Sequence, residues 1–181
     1  MKTSLKILAA VLMTALPATA QDVPGVTEDS IKIGVMGPFS GNASSYSKAL
    51  VGMMAYYDKV NADGGVHGRK LVAIPEDTAC DPSKGLAAAK KLIHQDEVFM
   101  LHGNSCSGVA VAVRPVVEEA GLPWLVAHAV SDSISVPLAR NIFHGVPTGS
   151  ANGRAMAQFV LSKPDTARVA IIEHSNDWAH S

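Results

Sequence analysis

The sequence predicts an α/β fold, a doubly wound parallel sheet, and three observations carry that expectation. Strand-like apolar runs alternate strictly with helical patterns from Ser30 onward. The runs are near-continuous in Val, Ile and Leu, as in strands covered on both faces. Helix start and stop signals fall between them at the places such an alternation needs.

The elements follow in order. The first strand is "SIKIGVM", Ser30 to Met36, ending in the turn "GPFSGN". A helix from about Ser44 to Asn61 carries Leu50, Met53, Met54 and Tyr57 on one face, and Gly64 and Gly65 stop it. "KLVAIPED" is the second strand. Asp81 is the expected N-cap of the next helix, with Pro82 at its first position, and Gly85 weakens the first turn. "VFMLHG", Val98 to Gly103, is the third strand and leads into "NSCSGVAVAV" and a helix to Ala120, in which Pro115 is expected to introduce a kink. "GLPWLVAHA" supplies a fourth strand and "NIFHGV" a fifth. "TGSANGRAMAQFVLSK" reads as a helix, followed by the strand-like "RVAIIEH".

Ahead of these elements, Lys2 and Lys6 precede an apolar run from Ile7 to Leu16 and the small-residue stretch "PATA" ending at Ala20. That order of charged, apolar and small residues matches a secretory signal peptide over residues 1–20, with the mature chain starting at Gln21. The apolar run is too short to span a bilayer. Setting Lys2 and Lys6 aside leaves 13 basic against 16 acidic residues, a net charge of −3 without a basic run, so nucleic acid is not an expected partner. No later segment reaches the roughly 18 consecutive apolar residues of a membrane span. The two cysteines, Cys80 and Cys106, would reach an oxidising compartment, where a disulfide is the expected pairing.

In an open α/β sheet, ligands bind beyond the carboxyl ends of the strands, near the point where successive connections change faces. The residues of chemical interest gather there: "GPFSGN" after strand one, Cys80 after strand two, "GNSCSG" after strand three and "HAVSDS" after strand four. The third helix would begin with Ser105, Ser107 and Gly108 around its first turn, aiming unpaired N–H groups and the positive dipole end at the crevice. A carboxylate or phosphate suits such a place. N-capping by Ser105 or Ser107 is the simpler alternative. A hydrolase nucleophile would need G-x-S-x-G, and Gly103-Asn104-Ser105-Cys106-Ser107 has serine at the second glycine. His102, His128, His144 and His174 end or follow strands, but no two lie at close ligand spacing, so neither a metal nor a cofactor is expected.

Taken together, "IKIGVMGPFSG", "NADGGVHGRKL", "DTACDP", the strand followed by "CSG" and "ARVAIIEHSNDWAHS" resemble the type I periplasmic solute-binding proteins of ABC importers, in the leucine/isoleucine/valine-binding branch. The resemblance runs from Asp29 to Ser181. It implies two doubly wound lobes closing on a small ligand by a domain motion. Residues 21–150 would then be the N-terminal ligand-binding lobe, and residues 151–181 the crossover helix region and the first strand of a second lobe that is cut short. It also implies a disulfide between Cys80 and Cys106 in that lobe.

Site residues carried over from the resemblance are an aromatic wall at Tyr46, a carboxylate-binding hydroxyl at Ser107, ligand-binding backbone around His128 and Ala129, and a second aromatic wall at Trp178. Val130 stands where the amino-acid binders carry a threonine, and Ser131 could replace that hydroxyl from a different direction. The implied function is a monomeric periplasmic receptor that delivers a small amino acid or aromatic carboxylate to a membrane permease. A secreted α/β hydrolase and the extracellular ligand-binding domain of a receptor are the alternatives from other classes.

Overall fold

The computed structural model describes residues 23–163 and 168–172. Five parallel strands form one sheet in the order β2-β1-β3-β4-β5. They are β1 (Ser30–Gly37), β2 (Lys70–Asp77), β3 (Met100–Gly103), β4 (Trp124–Val126) and β5 (Ile142–His144). Helix α1 (Ser47–Ala62) follows β1, α2 (Pro82–His94) follows β2, α3 (Ser107–Ala120) follows β3 and α4 (Gly149–Leu161) follows β5.

Alternation along β1 assigns the two faces. Ile33 and Val35 pack with Leu50 and Tyr57 of α1, with Met53 and Met54 partly buried against them. Met36 points the other way, into a larger core with Leu101, Trp124 and Val126 of the sheet, Ala89 and Leu92 of α2, and Val109, Val113 and Val117 of α3. Trp124 and Leu92 are fully buried, and each large apolar side chain removed from water contributes about 1.5–3 kcal/mol. Leaving β1, one connection passes over each face, so β1 and β3 flank the switch point.

Gly85 does something other than weaken its helix. A Cβ there would stand 2.3 Å from Val109 Cγ1, so the absent side chain lets α2 and α3 approach each other. Asp81 caps α2 as expected, its carboxylate accepting the Lys84 N–H at 2.9 Å. Asn61, in the last turn of α1, clamps the edge strand: its side chain donates to the Leu71 carbonyl at 2.8 Å and accepts the Leu71 N–H at 2.7 Å. Gly65 then turns the chain at φ +73°, where a Cβ would lie 2.2 Å from the Arg69 carbonyl oxygen.

Several boundaries differ from the sequence expectation. A 3₁₀ turn over Ser44–Tyr46 precedes α1, which starts at Ser47. Strand β3 begins at Met100, because the Val98 N–H still donates to Leu92 at the end of α2. The outer strands β4 and β5 are three residues each. Helix α3 continues through Pro115, which is exposed. Residues 168–172 are not in a strand: Ile171 and Ile172 are exposed, and no described strand lies beside them to complete a ladder. The proposed signal segment falls outside the described residues.

Candidate ligand crevice

The site is built at the carboxyl edge of the sheet, where β1 and β3 part. Asn104, the first residue after β3, is fully buried and has φ +76°, a conformation asparagine tolerates better than most residues. Its N–H donates to Met36 at the end of β1 at 2.7 Å, and its side-chain oxygen accepts the Cys106 N–H at 3.0 Å. Gly103 just before it has φ +117°, with the Met36 carbonyl 2.8 Å from where a Cβ would sit. The turn is therefore locked onto β1 before α3 begins.

Two residues of this turn hold residues 128–131 of the loop after β4. The Asn104 carbonyl accepts the N–H groups of His128 at 3.2 Å and Ala129 at 3.4 Å. The Ser107 hydroxyl oxygen accepts those of Val130 at 3.2 Å and Ser131 at 3.3 Å. The backbone donors of residues 128–131 are thus used inside the lobe. That corrects the expectation that backbone groups around His128 are free to bind a ligand: the N–H groups are not, whereas the His128 carbonyl has no hydrogen-bond partner among the described residues.

Ser107 is buried, and its oxygen accepts twice, so its single hydroxyl proton is left to donate. Neither serine caps α3. Its N-cap is Cys106, without a side-chain bond, and the N–H groups of Ser107, Gly108 and Val109 have no acceptor among the described residues. Like α3, α1 has no side-chain cap and no acidic residue in its first turn, whereas α2 and α4 differ. Asp81 caps α2, and Asp132 accepts the Ser150 N–H of α4 at 3.2 Å. Of α2, α3 and α4, only α3 has its positive dipole end without an internal anion among the described residues.

Disulfide Cys80–Cys106 fixes this start to the loop after β2, with a Cα–Cα distance of 5.6 Å. Asp77 joins that loop to the one after β1. It accepts the Ser40 hydroxyl and, through one oxygen, the N–H groups of Ser40 at 3.1 Å and Ala79 at 2.9 Å. The Ser40 hydroxyl and these amides hold the Asp77 carboxyl below its ordinary range.

Tyr46, in the 3₁₀ turn before α1, is 62% exposed. His128 is exposed and borders a cavity of about 360 Å³ on the α1 side of the sheet, lined also by Ala49, Leu50, Met53, His102 and Leu125. His102 does not face the α3 start: its Nδ1 lies 2.5 Å from the Tyr57 hydroxyl. Burial lowers the His102 pKa and pushes that of Tyr57 up to about 12. The His144 pKa is also lowered by burial, against the opposing charge of Asp132. Among the described residues no group of three or more His, Cys, Asp or Glu side chains is arranged to hold a metal. Trp178 and His174 lie outside the described residues. The structure therefore brings His128, Ala129, Val130 and Ser131 against the α3 start at Ser107, while Tyr46 lies in the 3₁₀ turn before α1. Sequence reasoning missed Asn104 and Asp132, although a Gly-Asn pair directly after a strand is a recognisable turn signal.

An α/β lobe with an open helix start at its switch point can hold a small anionic ligand there. The model of the periplasmic binding protein family matches residues 30–181, and the chain belongs to that family. The Leu/Ile/Val/Thr-binding protein of Salmonella typhimurium is 28% identical over 151 residues, covering 83% of this chain and 41% of the relative. Among solved structures, the branched-chain amino acid transporter substrate binding protein LivJ from Streptococcus pneumoniae, in complex with isoleucine, superposes with a TM-score of 0.68 at 25% identity, over 75% of this chain and 39% of that one. A solute binding protein of an R. palustris ABC transporter, in complex with 4-hydroxybenzoate, superposes with a TM-score of 0.72 at 26% identity, over 84% and 41%. The chain spans about two fifths of the length of these relatives. Its fold is that of the N-terminal part of a type I periplasmic binding protein of the branched-chain amino acid branch.

Proposed function

We propose that the protein is an exported solute receptor that captures a small carboxylate and delivers it to the permease of an ABC importer. The observation that carries this reading is the α3 start. Among the described residues, three N–H groups without an acceptor and the Ser107 hydroxyl proton lie there with no acidic side chain in the first turn, and such a constellation binds a carboxylate without a charged side chain.

The class of carboxylate follows from the neighbouring acceptors. An ammonium group needs oxygens, and the crevice offers the His128 carbonyl and, two residues past Ala129, the hydroxyl of buried Ser131. Val130 adds only an aliphatic side chain. An amino acid and an aromatic acid are therefore both served by the same carboxylate socket, as the isoleucine and 4-hydroxybenzoate complexes of the two solved relatives support. In this reading Tyr46 and Trp178 supply the aromatic contacts to the ligand. Residues 21–150 act as the receptor lobe and residues 151–181 lead into the second; the receptor works as a periplasmic monomer after loss of residues 1–20.

Binding without chemistry is supported by the bonds of Ser107, whose oxygen receives two backbone amides and touches no histidine base among the described residues. The test is a thermal-shift and calorimetry panel of L-leucine, L-isoleucine, benzoate and 4-hydroxybenzoate on the full-length protein. A ligand of the folded state raises the melting temperature. Failure of every carboxylate, with turnover of an ester or amide instead, would overturn the reading.

A further inference from the structure

Asn104 stands two residues ahead of Cys106, the N-cap of α3, and its side chain makes a turn that aspartate makes equally well. Its oxygen accepts the Cys106 N–H at 3.0 Å, and its backbone holds φ +76°. Asparagine and aspartate share that bond and that tolerance of left-handed backbone. Geometry therefore does not choose between them, and charge does. The α2 and α4 starts take the charged member: Asp81 accepts the Lys84 N–H at 2.9 Å and Asp132 the Ser150 N–H at 3.2 Å. At α3 an amide stands instead. Asn104 is fully buried, and its Nδ2 has no hydrogen-bond partner among the described residues. An aspartate would put a second anionic oxygen in place of that N–H donor. Its charge would lie one residue ahead of the N–H groups of Ser107, Gly108 and Val109, which have no acceptor among the described residues.

We propose that Asn104 sets the charge selectivity of the crevice: it turns the chain into α3 without a negative charge and so leaves the positive end of that helix to the charge of a ligand. This deepens the carboxylate reading of the site and rests on it. A fixed carboxylate at this position would compensate the helix dipole itself, as Asp81 and Asp132 do for α2 and α4, and would repel an arriving anion. A like charge beside a binding site lowers affinity by about tenfold or more at the effective dielectric of protein surroundings. The role needs no contact between Asn104 and the ligand, because charge acts over distances that a hydrogen bond does not reach.

The experiment compares acid with amide, 4-hydroxybenzoate with 4-hydroxybenzamide and L-leucine with L-leucinamide, by calorimetry on the full-length parent, Asn104→Asp and Asn104→Gly. For whichever acid the parent binds, the preference over its amide should fall by at least about tenfold in Asn104→Asp at pH 7.5. It should return as the pH is lowered to about 5.5, because burial and a bound anion both raise the pKa of the introduced carboxylate and favour its protonation. The titratable groups on the segments joined to Asn104 are His102, two residues earlier and bonded to Tyr57, His128, whose N–H reaches the Asn104 carbonyl, and Asp77 in the loop tied by the disulfide. All three are common to parent and variant, so the ratio of the two preferences isolates the new charge. Asn104→Gly keeps the left-handed turn and adds no charge, and should hold the parent's acid preference within about threefold. An acid preference unchanged in Asn104→Asp overturns the proposal by leaving charge no role. A loss that does not recover in acid, or an equal loss in Asn104→Gly, overturns it by making the effect structural. Should Asn104→Asp not fold, Asn104→Gly decides alone: a kept acid preference is the expected result, and a lost one overturns the proposal. A parent that binds neither acid overturns the carboxylate reading and the selectivity role with it, whereas an acid preference that survives Asn104→Asp overturns the selectivity role alone.

Discussion

The Ser107 hydroxyl oxygen accepts the Val130 N–H at 3.2 Å, so the first residue of α3 carries the loop that follows β4. The same hydroxyl that offers a proton to the crevice thereby fixes the crevice wall. Replacing it with alanine removes the donor proposed for the ligand and an anchor for the loop at once. Ser107→Ala should weaken carboxylate binding by about 1–2 kcal/mol, read by calorimetry as roughly a five- to thirtyfold rise in Kd. Full affinity in this variant would remove Ser107 from the site.

The Cys80–Cys106 bridge closes a separation of 26 residues and holds the α3 start against the β2 loop. Such a loop constrains the unfolded chain by about 3 kcal/mol. Reduction should lower the melting temperature by roughly 6–12 °C for a domain of this size. Two titratable thiols before reduction, with no change in the melt after it, would contradict the bridge.

At Gly85 the usual preference of helices for alanine is outweighed by packing. Gly85→Ala gains helix propensity but puts a methyl group 2.3 Å from Val109 Cγ1. Overpacking of this kind costs about 1–3 kcal/mol, so denaturant titration should show a net loss of stability. A more stable variant would mean that α2 and α3 do not meet at this point.

Acidification should destabilise the lobe through His102. Burial lowers its pKa from the ordinary 6.5, so below that value the unfolded chain takes up a proton that the folded one resists. Stability present above pH 6.5 is then lost as the pH falls from 6.5 toward the folded-state value. His102→Gln, which keeps an acceptor for Tyr57, should flatten the dependence in urea titrations between pH 7.5 and 5.5. Part of it will persist, because His144 is shifted the same way. An equally steep dependence in the variant would exclude His102 as a source.

The contrast between β2 and the crevice explains how much was legible in the sequence. Lys70–Asp77 and the Asp81 cap were readable because every determinant is local: an apolar run, then Asp-Pro at a helix start. The placement of Ser107 beside the loop after β4 followed from strict β/α alternation. The engagement of the N–H groups of 128–131 did not, because their acceptors lie more than 20 residues away, on Asn104 and Ser107. Asp132 was invisible for the same reason: it caps a helix 18 residues further on. The shortening of β3 depended on a Val98 N–H turning back to α2, which no periodicity records.

Isosteric ligand pairs probe the anion socket proposed at the start of α3 most directly. Calorimetry on the full-length protein should compare L-leucine with L-leucinamide, and 4-hydroxybenzoate with 4-hydroxybenzamide. Unpaired N–H donors satisfy a carboxylate and oppose an amide NH₂, so whichever acid binds should do so at least about tenfold more tightly than its amide. Equal affinity for acid and amide would contradict the socket.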